Sequence, residues 1–294
     1  MKKVLGKKST IAVFVLPGVL LFTSVIFIPV FCSLLYSFHN WDGLNDMTFV
    51  GLANYRKLII NNEQNYLLSV KNTLLIALMT ACIQIPIALL LAIVLSDKVK
   101  GEGFFRTAYF VPSVISSAAI GQLFLKIYNP DYGLINTILR KVGLASAARV
   151  WLGNEKTALI ALIIPIIWQY IGQHMLLLYA GIKAIDPEVQ EAAIIDGASR
   201  WQRAMKITIP LLAPMLEVCL TLGVVGSIKI FDMSMILTSN GEPFGSTVVQ
   251  AGLMQKQIFT YSQYGLGSAT AMSIVVQCLI LTLLIQYAFR RFRL

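Results

Sequence analysis

The sequence predicts an all-α polytopic membrane protein with six transmembrane helices, and three observations carry that prediction. Hydrophobic residues make up 57% of the 294-residue chain and charged residues only 13%, about half the quarter typical of soluble domains, with a mean hydropathy of +0.73. Apolar runs of about 20 residues, enough to cross a bilayer, recur along the chain. Basic residues gather in alternate connections between those runs, as the positive-inside rule requires. The spans must be helical because lipid offers backbone N–H and C=O groups no partner outside their own segment.

The elements follow in order as one transmembrane domain over 1–294. The first span, about 11–38, holds 28 uncharged residues. That exceeds the roughly 7–15 apolar residues of a signal-peptide core, and no clean small-x-small site follows, so the segment reads as a retained span. The connection 39–71 carries Trp41-Asp42-Gly43, a turn, and Phe49–Tyr55, a short amphipathic element at the membrane surface. The second span covers 72–96 and the third 106–127. The connection 126–156 contains Asn129-Pro130-Asp131-Tyr132-Gly133, a turn signal, and an apolar stretch over 134–139. The fourth span covers 157–182, the fifth 209–232 with Glu217 and Lys229 inside it, and the sixth 266–289. Ser239-Asn240-Gly241-Glu242-Pro243 marks a turn in the connection before the last span. No internal repeat is visible, which disfavours carriers built from inverted repeats.

Six spans place both termini on one side. That side would hold Lys2, Lys3, Lys7 and Lys8; Lys98, Lys100 and Arg106; Lys183, Arg200, Arg203 and Lys206; and Arg290, Arg291 and Arg293, which is 14 of the 24 basic residues. The rest are spread over longer connections, so both termini and the loop 183–206 are expected to be cytoplasmic. This asymmetry accounts for most of the net charge of +10 without nucleic-acid binding.

Loop 183–206 is the most charged short segment between two apolar runs. Asp186-Pro187-Glu188 is a helix start, with an N-cap carboxylate, proline at the first helical position and an acid at the positive end of the dipole. Gly197 interrupts the helix where a turn is needed. Ser199 and Gln202 have capping-box spacing and open a second helix bearing Arg200, Arg203 and Lys206. The loop therefore reads as helix, glycine turn, helix, leading into span five.

The chemistry that is missing narrows the function. No G-x-x-x-x-G-K-[ST] phosphate loop, H-E-x-x-H pair or G-x-S-x-G turn occurs, and the two histidines are His39 and His174. Cys32, Cys82, Cys219 and Cys278 lie in apolar runs without metal-ligand spacing and read as buried free thiols. The chain is not expected to be an enzyme or to bind a metal or cofactor, so driven transport would draw on a partner or an ion gradient.

Glu191-Ala192-Ala193, three residues, Gly197, nine residues, then Ile207-Thr208-Ile209-Pro210 resembles the EAA motif of permease subunits in ATP-binding-cassette importers. Ile209 stands where leucine is usual. Leu16–Phe38, Phe49–Tyr55 and Gly226–Pro243 look like the maltose-type carbohydrate subfamily, with Asn240-Gly241-Glu242-Pro243 in place of a Gly-Gly-Pro turn. The resemblance implies that loop 183–206 is a cytoplasmic coupling helix. Glu191, Ala192, Ala193, Asp196, Gly197, Ile207 and Pro210 would contact or transmit motion from the ATPase. It further implies a second homologous permease subunit, two copies of a cytoplasmic ATPase carrying ATP-Mg, an extracytoplasmic solute-binding protein, and a bacterial or archaeal cytoplasmic membrane. The solute would be a sugar, an oligosaccharide or a related compound such as glycerol phosphate.

Charged or amide side chains within spans mark a path for solute by default. Lys229 and Asp232, three apart, would share a helix face and could pair. Gln169 and Gln173, four apart in a cluster with Trp168, Tyr170 and His174, would face one way and form a cavity wall. The structural alternatives are a plain ion pair for the first two and a lipid or helix interface for the aromatics. The rival function is an ion-coupled secondary carrier using Glu217, Lys229 and Asp232. A lipid-modifying enzyme would lack a catalytic constellation.

Overall fold

The structure, a computed structural model, describes residues 8–97 and 99–292, with side chains from Ala12 to Arg291 apart from Lys98. Lys2, Lys3, Lys7, Lys98 and Arg293 of the orientation pattern lie outside the described residues. The described chain is almost wholly helical and divides into two compact units, 1–63 with 254–273, and 64–253 with 274–294.

In the first unit α1 (Lys8–Phe22) and α2 (Ile28–Ser37) form a span. It is followed by a hairpin of β1 (His39–Asn40) and β2 (Thr48–Phe49), antiparallel with His39 opposite Phe49, and by α3 (Ala53–Ile59). The turn read at Trp41-Asp42-Gly43 closes this hairpin: Asp42 Oδ1 accepts from the N–H groups of Leu44 at 3.0 Å and Asn45 at 2.9 Å. Buried Asn54 of α3 donates to the carbonyls of Ser37 and His39, both at 2.9 Å, and so ties the hairpin to the end of the span.

The second unit begins with α4 (Tyr66–Met79) and α5 (Ile85–Ser96), which form one continuous span of 34 residues from Glu63. Then come α6 (Glu102–Val114), α7 (Ser117–Ile127), α8 (Leu134–Lys141) and the 29-residue α9 (Glu155–Lys183). After α10 (Pro187–Ile195) and α11 (Arg200–Arg203), short α12 (Ile209–Leu211) leads to α13 (Ala213–Ile228) and α14 (Asp232–Thr238). α15 (Gln250–Gln255) and the long α16 (Tyr264–Phe292), each shared between the two units, complete the described chain.

Two of the six expected spans are not straight. Spans three and five are bent pairs: α6 and α7 meet at 98°, and the helix Arg200–Leu211 meets α13 at 71°. At the first bend Ile115 is extended and Ser116 caps α7, its hydroxyl accepting from Ala119 N–H at 3.3 Å. At the second, Pro210 and Pro214 bracket Leu212, so two backbone donors are missing within five residues. The remaining four spans are single helical rods.

Prolines also explain three of the four π-turns among the described residues; the fourth, Lys256–Thr260, has none after it. Turns Thr23–Phe27, Thr80–Gln84 and Ala204–Thr208 each end two residues before a proline, Pro29, Pro86 or Pro210. A proline ring collides with the carbonyl four residues back, at a cost of about 3 kcal/mol in a regular helix. Here those carbonyls belong to Val25, Cys82 and Lys206, inside the widened turns. The N–H groups of Ile28, Ile85 and Ile209 bond five residues back, to Thr23, Thr80 and Ala204. Pro210 therefore lies within a continuous helix after a π-turn and not at a helix start.

Two apolar clusters sit along α9. One gathers Ile76, Ile120, Phe124, Leu162, Ile166, Met233 and Leu237; the other gathers Ile85, Ala88, Ala92, Met175, Leu178, Leu212 and Cys219. Between Ile166 and Met175 the helix carries Gln169, Tyr170, Gln173 and His174, so a polar layer separates the clusters. Of the four thiols, all free, only Cys219 is buried, and Cys82 is exposed in its π-turn.

Candidate functional site

Loop 183–206 is built almost entirely from local hydrogen bonds. Asp186 caps α10, its side chain accepting from Glu188 N–H at 3.0 Å. The helix ends in a Schellman motif: Gly197 N–H reaches the carbonyl of Ile194, and Ala198 N–H that of Ala193, both at 3.0 Å. Gly197 takes φ +76°, which a side chain disfavours, although a Cβ there would meet nothing within 4 Å. The capping box forms, with Ser199 N–H donating to Gln202 Oε1 at 2.8 Å and Gln202 N–H to Ser199 Oγ at 3.3 Å.

This capped protrusion is attached to its surroundings at few points. Ala193 is buried, whereas Glu191, Ala192 and Asp196 are exposed, and Ile195 is 86% exposed. Gln190 Nε2 donates to Thr208 Oγ1 at 3.2 Å, joining α10 to the π-turn ahead of Pro210; Ile207 in that turn is half-buried and Pro210 exposed. Arg200 lies 3.8 Å from Asp97, an exposed pair of little energetic weight. Lys183 donates to the carbonyl of Ser96 at 3.0 Å. One turn earlier, Tyr179 donates its hydroxyl to Glu102 while Arg106 lies over its ring, 4.9 Å from the centroid.

The polar layer borders two adjoining, half-open cavities. One, of about 230 Å³, is lined by Ser117, Gln169, Tyr170, Lys229 and Asp232. The other, of about 240 Å³, is lined by Gln84, Gln173, His174, Gly223 and Ser227; both share Ile166, Tyr170, Gly226 and Ile230. Gln169 is only 2% exposed. Its Nε2 donates to the carbonyl of Ile115 at 3.1 Å, the group orphaned by the bend of span three, and its Oε1 has no protein partner. His174 Nδ1 lies 3.0 Å from the carbonyl of Tyr170 and 3.0 Å from the amide of Gln84. Nδ1 donates to the Tyr170 carbonyl when protonated and accepts from Gln84 Nε2 when not, so the tautomer decides between the two; Nε2 is buried without a protein partner. Ser227 donates to the carbonyl of Gly223 at 2.8 Å and pairs with Thr80 at 2.8 Å.

The structure thus places Gln169, Lys229 and Asp232 around one cavity and Gln173 around its neighbour. It does not put Lys229 and Asp232 on one helix face. Lys229 ends α13, Asp232 begins α14, both are exposed, and no ion pair joins them among the described residues. Helix-face spacing fails because the helix breaks over 229–231. The structure adds Gln84 and Ser227 to the lining. Gln84 is an amide in the middle of a mostly apolar span, which is itself a signal. Trp168 lies outside the cavity linings, 42% exposed, edge-on to Phe124 with centroids 5.7 Å apart.

Over residues 84–294 the sequence matches the family described as the binding-protein-dependent transport system inner membrane component. The chain belongs to this family. Among relatives of this permease, "Probable ABC transporter permease protein YurN" of Bacillus subtilis is 34% identical, with 92% of each chain covered. The trehalose/maltose transport system permease protein MalF of Thermococcus litoralis is 32% identical over 93% of this chain and 90% of its own. The arabinooligosaccharides transport system permease protein AraP of B. subtilis is 30% identical over 95% and 88%. The fold is shared with a chain of a bacterial ABC transporter involved in the import of alginate, at TM-score 0.84, 21% identity and 98% coverage of both chains. The permease is thus a membrane-embedded subunit of an ABC transporter.

Proposed function

We propose that this permease translocates a sugar, an oligosaccharide or a related solute such as glycerol phosphate, delivered by an extracytoplasmic binding protein. It would act with a second homologous permease subunit and two copies of an ATPase that carry ATP-Mg, this chain binding no cofactor of its own. Loop 183–206 and both termini face the cytoplasm of a bacterial or archaeal cell.

The observation that carries the proposal is the form of loop 183–206: a doubly capped protrusion on which Ile194, Ile195 and Trp201 are exposed and whose base is bonded to span five. Such a loop suits docking in a groove of the ATPase, with Glu191 as the acidic anchor and Ala192 and Ala193 allowing close approach. Gly197 and Asp196 shape the turn, while Ile207 and Pro210 carry the displacement into the membrane. The sugar class is supported by the solutes named for AraP and MalF. It is supported also by amide, hydroxyl and imidazole acceptors grouped beside Tyr170, a lining suited to hydroxyl-rich solutes. Gln169, Gln173, Lys229 and Asp232 are the residues assigned to the path.

Combining Glu191→Lys with Gly197→Val tests the proposal in proteoliposomes holding all subunits and the binding protein. ATP-dependent uptake should disappear while membrane insertion persists. Uptake that continued under an ion gradient without ATP would instead establish a secondary carrier.

A further inference from the structure

The apolar stretch at 134–139 has no part in transport as described, and it folds into a surface of its own. α8 places Leu134, Ile138 and the capping residue Val142 along one stripe, each four residues after the last. They are 57%, 50% and 63% exposed. The neighbouring face is turned inward, with Ile135 packed on the first apolar cluster and Asn136 buried. Arg140 occupies the remaining side and Lys141 borders the stripe, so the helix is amphipathic.

Hydrogen bonds fix this helix at the level where two spans end. Arg140 donates to the carbonyls of Pro130 and Asp131, both at 2.9 Å, within the turn that leaves span three. Asn136 donates to the carbonyls of Pro130 at 3.1 Å and Arg149 at 3.0 Å, and its Oδ1 accepts from Trp151 Nε1 at 2.8 Å. The carbonyl of Trp151 in turn accepts from Thr157, at 2.7 Å, in the first turn of span four. A helix clamped at both of its neighbours' ends cannot leave the plane in which those spans meet water.

We propose that α8 is an interfacial helix whose Leu134–Ile138–Val142 stripe rests in the head-group region of the bilayer. Leu123 on span three and Ile160 on span four, the spans that α8 connects, are likewise exposed and apolar. The segment 126–156 carries Lys126, Arg140, Lys141, Arg149 and Lys156 against Asp131 and Glu155, an excess of positive charge that complements lipid phosphates. Lys141, three residues after Ile138, is placed to extend its ammonium to the phosphate layer while its stem covers apolar surface. The inference rests on the membrane placement of the spans and is independent of what the permease carries.

A nitroxide attached at Ile138→Cys tests it. The label is introduced with Cys32→Ala, Cys82→Ala, Cys219→Ala and Cys278→Ala into the full chain, assembled with its partner subunits. The vesicles are phosphatidylethanolamine and phosphatidylglycerol. Oxygen should reach the label more readily than a water-soluble nickel chelate, at a depth of about 5–10 Å below the phosphates, and Leu134→Cys should behave alike. Ser146→Cys, exposed outside the stripe, should favour the chelate. Equal chelate access at 138 and 146 would overturn the proposal. So would a label immobilised and shielded from both reagents, which would mean a protein covers the stripe. If the cysteine-free chain does not assemble, Ile138→Trp in the parent chain replaces it. Brominated lipids must then quench the added fluorescence, and failure to quench is equally decisive.

Discussion

Gln190 Nε2 donates to Thr208 Oγ1 across 3.2 Å, and this bond links the protruding helix α10 to the π-turn that precedes Pro210. Eighteen residues separate the two in sequence. A displacement of α10 therefore reaches span five through a side-chain contact as well as through the intervening backbone.

Thr208→Val keeps the shape of the side chain and removes the acceptor. A hydrogen bond of this kind contributes about 0.5–1.5 kcal/mol net, too little to unfold the permease. Solute moved per ATP hydrolysed should fall several-fold while insertion is unchanged, and Thr208→Ser should restore it. A variant with the parental ratio of uptake to hydrolysis would remove the bond from the coupling route.

Gly197 separates backbone strain from steric fit. Its φ of +76° penalises a side chain, while a Cβ would meet nothing within 4 Å. Gly197→Ala should destabilise the turn by about 1–2 kcal/mol, seen as faster hydrogen exchange at the amides of residues 197 and 198. Gly197→Asn should be milder because asparagine tolerates the left-handed region. Equal exchange in the parent and both variants would show that the Schellman turn is not held by backbone conformation.

Legibility from sequence follows the range of the interactions. Asp186, Gly197, Ser199 and Gln202 act within three or four residues of themselves, so the whole shape of loop 183–206 can be read from spacing. The cavity is different. Gln169 is positioned by the carbonyl of Ile115, 54 residues away, and His174 by Gln84, 90 residues away. Hydropathy marks spans three and five as continuous, yet both bend: span five at its own prolines, Pro210 and Pro214, and span three where the distant Gln169 satisfies the freed carbonyl of Ile115. The cavity-lining Gln169, Gln173, Lys229 and Asp232 were legible as polar groups in apolar surroundings, but their mutual placement was not.

The hairpin of the first unit offers a pH prediction. The backbone N–H of Asn45, then that of Leu44, then the Asn45 side chain hold the Asp42 carboxylate, lowering its pKa to about 2 from an ordinary 3.8. A folded-state pKa below the unfolded value means the turn is favoured above pH 3.8 and loses that support as pH falls towards 2. The Asp42 carboxylate should titrate near pH 2 by NMR, and Asp42→Asn should abolish the acid transition at this turn. Titration near pH 4 would show that these donors do not hold the carboxylate in solution.

Two glycines, Gly172 on α9 and Gly226 on α13, should respond in opposite ways. At Gly172 a Cβ would lie 1.9 Å from the carbonyl oxygen of Tyr109 and 2.9 Å from Phe110 Cα, so α6 and α9 meet there backbone to backbone. Backbone cannot rotate aside as a side chain can, and small residues at such crossings are what permit close packing in lipid. Gly172→Ala should cost about 1–3 kcal/mol or more and reduce the yield and thermal midpoint of the assembled complex. Gly226 lines both cavities, and a Cβ there meets nothing within 4 Å. Gly226→Leu adds a side chain to open space on a helix and removes a poor helix former, worth up to about 1 kcal/mol. The thermal midpoint should hold or rise. Uptake should nevertheless collapse, because the shared wall of the two cavities now carries an isobutyl group where solute must pass. Normal uptake by a well-assembled Gly226→Leu permease would place the solute path elsewhere, and Gly172→Ala marks the contrasting case in which activity is lost only because the fold is.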